Sequence, residues 1–341
     1  MIRVLVSCAA ACAAVAAGQT AAVKPAAKPA PAAVKQWTAP RTPDGHPDLQ
    51  GSWTNSTLTP LERPADLAGR DHFSSQVEAD DWAKKQFANI TGDRRDGGAQ
   101  VDIGRSYNEY WRDRGSSTVA TLRTSLIVDP PDGKVPALTP AAQKLQADQS
   151  AHQRAHATDG PEQRSLWERC LTRGLPILPG PYNNNFQIVQ TPGYVAIVQE
   201  LIHDVRIIPL DNRPHVPGAI RQWMGDPRGH WESSAQPGRG VVRAEEADTL
   251  VIESTNFSEK TNFRGSSEGM HLIERLTRVD AETINYQFTV EDPATFVRPF
   301  SGEAPLNKTS DQVFEYACNE GNYALRGILA GAREEEAKSG R

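Results

Sequence analysis

The chain has 341 residues, 38% of them hydrophobic and 23% charged, with 37 basic against 42 acidic side chains and a formal net charge of −5. That is material for one large domain or two small ones with a substantial core. The acidic balance and the lack of any basic block leave no electrostatic footprint for nucleic acid, so no nucleic-acid partner is expected.

The first 18 residues carry one positive charge at Arg3, then the apolar run VLVSCAAACAAVAA, and end in small residues. This is the anatomy of a secretory signal peptide, and the run is too short for a membrane span. Leu5-Val6-Ser7-Cys8 has the residue types of a lipobox but would leave almost no hydrophobic segment ahead of the cleavage point. The expected location is therefore periplasmic or secreted. Residues 19–36, rich in Ala, Pro and Lys with no aromatic side chain, read as a disordered tether. Past the signal two cysteines remain, Cys170 and Cys318. In an oxidising compartment they read as a disulfide, with two separately buried thiols as the alternative.

Residues 37–335 read as a single β-rich domain. In Trp37–Pro64, Pro43-Asp44-Gly45 reads as a turn, with Leu49 and Trp53 pinning the segment to the body. Ser74–Ile90 has Ser caps, early acids and apolar residues at near-helical intervals, which predicts an amphipathic helix. Tyr107–Gly115, an aromatic and charged cluster, could line a cleft or stack Arg112 and Arg114 on neighbouring rings. Leu122–Val128 predicts a short strand. Thr139 as N-cap with Pro140 after it starts a helical region extending to Cys170, broken near Asp159-Gly160-Pro161.

From Phe186 the period changes. Phe186–Gln190 and Tyr194–Leu201 flank the turn Thr191-Pro192-Gly193, and Val205–Leu210 follows closely, as in an antiparallel meander. Thr249–Thr255, Met270–Val279 and Thr283–Glu291 continue it, the last with Ile284, Tyr286, Phe288 and Val290 on one face and polar residues on the other. Asp311–Ala317 is a further strand candidate, and a helix is expected over 319–336. The predicted fold is mainly β: a curved antiparallel sheet or lipocalin-like barrel with peripheral α-helices.

The candidate catalytic group is His203 with Asp204 and Glu200. Histidine titrates near neutrality and suits proton transfer; on an extended strand, however, adjacent residues point to opposite faces, so Asp204 orients His203 only if the chain turns there. The bland alternative has Asp204 capping a turn and His203 packing on a strand. Tyr182, Asn183, Asn184 and Asn185 follow a Pro-Gly-Pro turn and could surround a ligand with donors and acceptors, although turn formation alone accounts for two of the asparagines. His230 and Glu232 share a face if extended and join the substrate-binding candidates. No metal is expected: His152 and His156 have ligand spacing but no third partner, and no HExxH pattern is present. No GxSxG, Walker or GxGxxG signature appears, and no cofactor is expected.

The ordered strings RTPDGHPDLQGSW, NEYWRDRG, ERCLTRGLP, PYNNNFQIVQTPGYV, QWMGDPRGHWE, DTLVIESTNF and EYACNEGNYA resemble a large family of secreted bacterial proteins. The resemblance spans about residues 36–335 and implies a β-rich body and an exported location, without an activity. In the pattern of that family GHWEG runs directly into DTLV; here residues 233–247 intervene and read as an enlarged hairpin loop. The functional expectation is a secreted acid/base lyase, isomerase or hydrolase that needs no cofactor and handles a small organic molecule in a barrel cavity. The alternative is a non-catalytic periplasmic small-molecule binding protein.

Overall fold

A computed structural model describes residues 37–94, 97–99, 101, 109–234, 246–261 and 263–339. The expected signal and tether lie outside these residues, as do 235–245 of the insertion and the start of the 107–115 cluster. Among the described residues eleven strands pair antiparallel: β1 (Gly51–Thr54), β2 (Ile127–Asp129), β3 (Asn185–Thr191), β4 (Tyr194–Gln199), β5 (Val205–Pro209), β6 (Asp226–Glu232), β7 (Thr249–Thr255), β8 (His271–Arg278), β9 (Thr283–Glu291), β10 (Phe300–Glu303) and β11 (Leu306–Lys308). Their order is β5-β4-β3-β1-β11-β9-β8-β7-β6. The mainly β, barrel-like architecture is the expected one.

Strand β9 serves two neighbours on one side. Its first residues pair with β11 and its later ones with β10, which carries β2 on its far edge. The path curls until its two ends meet: a Cβ added at Gly229 of β6 would fall 2.7 Å from Leu210 Cδ2 and 2.8 Å from Ile208 Cγ2. Only a residue without a side chain allows that approach. Among the described residues no backbone hydrogen bond joins β5 to β6, so the barrel is nearly closed, with a seam held by side chains.

Period-2 alternation decides what fills the interior. Tyr286, Phe288 and Val290 of β9 are essentially unexposed, and Leu272 and Leu276 of β8, Leu250 and Ile252 of β7, Val195 and Ile197 of β4, Ile188 of β3 and Trp53 of β1 join them in one core. Helices α1 (Gln76–Ile90), α2 (Pro140–His156) and α3 (Tyr323–Ser339) lie outside it. The Ser75 and Thr139 hydroxyls accept from the third backbone N–H beyond, fixing the first turns of α1 and α2.

Two elements differ from expectation. The Leu122–Val128 strand shrinks to β2, because Leu122 adopts φ 60 and the amides of Thr124 and Leu126 donate to Asp71 and Pro60 of a neighbouring loop. Asp311–Ala317 is irregular; its end is tied down at Cys318 by a disulfide to Cys170, with a Cα–Cα distance of 5.7 Å across a separation of 148 residues. The disulfide itself is as expected.

Candidate functional site

Residues 165–184 cross one end of the barrel without regular structure beyond turns. Polar contacts hold this crossing segment in place. Thr172 Oγ1 and Arg173 N donate to Asp204 Oδ2 at 2.8 and 3.1 Å, Ile177 N donates to the Tyr286 hydroxyl at 3.0 Å, and Cys170 carries the disulfide. Asn184 closes the last loop: its Oδ1 accepts from Gly180 N at 2.6 Å, its Nδ2 donates to Gly180 O, and its backbone N donates to Asp113 Oδ2 at 2.9 Å. Such side-chain-to-backbone bonds replace the ladder that an irregular segment lacks.

Between this segment, the 57–61 loop, residues 260, 261, 263 and 264 and the barrel strands lies a cavity of about 750 Å³. Its walls include the buried apolar side chains of Leu58, Leu126, Ile177 and Phe186. Its polar lining includes Arg114, Arg173, Lys260, Arg264, Asn183, Asn184 and Gln199. This combination of apolar walls and a few placed polar groups is typical of small-molecule sites. A second hollow of about 640 Å³ adjoins it, sharing Trp167 and Asn183 and lined by Tyr182 and Tyr316, whose rings stack 6.5 Å apart.

The expected site residues divide among these places. Asn183 and Asn184 line the cavity, and Tyr182 lines the adjoining hollow. Asn183 sits at φ 55, a left-handed position that asparagine tolerates, and its Nδ2 donates to Glu200 Oε1 at 2.8 Å. Asn185 begins β3, and its carbonyl accepts from Glu200 N. Glu200 is buried at 4% exposure, and burial raises its pKa above the ordinary 4.5, opposed by the Asn183 bond. Burial likewise raises Asp204, against the bond from Thr172.

His203 stands apart from the cavity. It ends a 3-10 turn at φ 49 behind Ile202 at φ 58, is exposed, and its Nδ1 lies 3.2 Å from the Tyr316 carbonyl. The turn lets His203 and Asp204 diverge, and Asp204 contacts Thr172 and Arg173 instead. His230 and Glu232 do share a face of β6, with Nε2 2.9 Å from Oε1, and Arg275 Nη1 of β8 completes the cluster at 2.7 Å from Glu232 Oε2. They lie beside the insertion, away from the cavity lining. Among the described residues no three His, Cys, Asp or Glu side chains come together as a metal-holding group, and no helix is long and apolar enough to cross a membrane.

A second polar group, which sequence reasoning did not single out, lies inside the barrel. Arg206 of β5 makes a bidentate pair with Glu274 of β8, at 2.9 and 2.5 Å, and reaches Ser254 Oγ of β7 at 3.3 Å. The Tyr286 hydroxyl donates to Glu274 Oε1 at 2.8 Å. Burial first, then the Glu274 carboxylate, hold that hydroxyl well above its ordinary pKa of 10.0, so it remains a donor. The four cavity cations were equally unforeseen as a group, since they come from four separate stretches; only Arg114 belongs to a cluster that the sequence marks.

Compared with protein-family models, with curated proteins and with solved structures, the chain matches none.

Proposed function

We propose that the protein is an exported binder of a small organic molecule, held in the cavity at the end of the barrel. The carrying observation is the cavity itself: about 750 Å³, walled by Leu58, Leu126, Ile177 and Phe186 and provided with a few converging polar groups. The Cys170–Cys318 disulfide and the resemblance to secreted bacterial proteins support an oxidising, periplasmic or extracellular setting. Leu178 lines the cavity and is half-buried, so Leu178→Trp should fill the space. A small-molecule panel screened by thermal shift should give hits that bind 1:1 to the natural chain and are lost in this variant. Hits that bind Leu178→Trp unchanged would refute the proposal.

One observation favours the second reading, an acid/base lyase, isomerase or hydrolase. Glu200 is a buried carboxyl with a raised pKa, held by Asn183, which lines the cavity, and such groups serve as general acids. With a ligand in hand, Glu200→Gln separates the two readings. A catalyst loses turnover while still binding; a carrier keeps its affinity and shows no turnover to lose.

A further inference from the structure

Cations in two parts of this chain are treated differently. Arg206, inside the barrel, is matched bidentately by Glu274. The cavity lining holds four cations, Arg114, Arg173, Lys260 and Arg264, and among its described residues no Asp or Glu. Of these only Arg114 has an ion-pair partner among the described residues, with Nε 3.2 Å from Glu109 Oε1; its buried Nη2 has no hydrogen-bond partner. Arg173 lies over the Trp167 ring at 4.1 Å and pairs with no acid. Gln199, at the end of β4 and only 5% exposed, lines the same cavity with Nε2 also unpartnered.

Three nearby acids are occupied elsewhere: Asp113 accepts from Asn184, Asp204 from Thr172 and the Arg173 amide, and Glu200 from Asn183. Glu109, the partner of Arg114 Nε, also accepts from the Gly92 amide. A protein of net charge −5 thus presents a cavity lined by four cations and, among the described residues, no carboxylate, with buried donors of Arg114 and Gln199 left unpartnered. Buried donors left without acceptors cost free energy, and a ligand that supplies acceptors recovers it. A hydrated inorganic anion would match the charge but leave the apolar walls uncovered.

Resting on the binding reading above, we propose that the cavity's ligand is an amphipathic organic anion: an acidic head group, such as a carboxylate or sulfonate, on an apolar body. Its head accepts from Arg114, with Lys260 and Arg264 supplying field, and Gln199 Nε2 donates to a second acceptor. Its body lies against Leu58, Leu126 and Phe186.

A matched pair of fluorescent probes tests this: 1-anilinonaphthalene-8-sulfonate, and N-phenyl-1-naphthylamine, the same skeleton without the sulfonate. The sulfonate probe should bind the full chain 1:1 and at least about tenfold tighter than the neutral one, as a charge-assisted hydrogen bond in a partly desolvated site allows. Arg114→Met should remove most of that preference while leaving the neutral probe unchanged. Should Arg114→Met fail to fold, judged by circular dichroism, Lys260→Gln combined with Arg264→Gln decides. That variant should weaken only the sulfonate probe, by roughly threefold to tenfold, because exposed cations act through a screened field. Equal affinity for the two probes, both displaced by Leu178→Trp, would overturn the anion inference and keep the cavity as a binding site. Binding of both probes undisturbed by Leu178→Trp would overturn the cavity reading as well.

Discussion

The barrel interior and the cavity at its end are built from similar residue types and put to opposite use. Inside, Arg206, Glu274, Ser254 and Tyr286 bond to one another across four strands. In the cavity, Arg173, Lys260 and Arg264 face a shared space with no carboxylate among the described lining residues. A buried charge with its partner in place is architecture; a cation that lines a cavity without a carboxylate partner is available to a ligand. Pairing, more than residue identity, separates the two.

The comparison breaks most visibly at Glu274. Glu274→Ala leaves Arg206 buried and uncompensated and should cost about 3–5 kcal/mol in urea denaturation. Pairing Arg206→Met with Glu274→Leu should recover most of that loss, since an apolar replacement of the whole pair is often neutral. If the single and double variants lose stability equally, the pair is not the unit described here. Next in size, replacing Cys170 and Cys318 by Ala frees the crossing segment from the 315–322 stretch and should cost about 2–4 kcal/mol, by thermal or denaturant unfolding. Asn184→Ala removes the side-chain bonds to Gly180 and that from Nδ2 to Asp113 Oδ1, while keeping the backbone one, and should cost about 1–3 kcal/mol, together with lower affinity for any cavity ligand, measured by calorimetry.

A pH experiment sharpens the contrast at Glu200. Burial raises its folded pKa above the ordinary 4.5, so the folded chain keeps this proton to higher pH than the unfolded chain, and ionisation costs stability as pH rises past that value. Glu200→Gln, which can still accept from Asn183, should therefore match the natural chain at pH values below 4.5 and gain on it progressively above. A gap that is independent of pH would contradict a raised pKa. The smallest effect belongs to His203→Ala: for an exposed side chain whose ring makes one contact to a carbonyl, a stability change within about 0.5 kcal/mol is expected. Ligand affinity should hold as well, and a large loss of turnover there would return His203 to the reaction.

Much of the barrel was legible in the chain, and the reason is periodicity. Strand β9 alternates cleanly, Pro192-Gly193 marks the turn from β3 to β4 and Asp280-Ala281-Glu282 the one from β8 to β9, so those elements follow from side-chain parity and turn chemistry. Strands β1, β10 and β11 were not legible, because each has only three or four residues and takes its register from neighbours. Parity also misleads in β5. Val205 and Ile207 are the apolar alternates yet each is 54% exposed, while Arg206 between them is 2% exposed. The inversion makes sense only with Glu274, sixty-eight residues further on, already in place. The same limit applies to the site. Asn183 and Asn184 announce a constrained loop, and they do line the cavity, but cations drawn from residues 114, 173, 260 and 264 converge only through the fold.

The unladdered junction of β5 and β6 gives the wall a beginning and an end, like a split ring. Arg206 is the pin of that ring, anchored on β5 and seated on β7 and β8. Among the described residues, parting the two edges breaks no backbone ladder; it breaks this pin and the packing of Ile208 and Leu210 on Gly229. In amide hydrogen exchange, the outward-facing N–H groups along the free edges of β5 and β6 should therefore exchange sooner than those of β8 and β9, which are laddered on both sides.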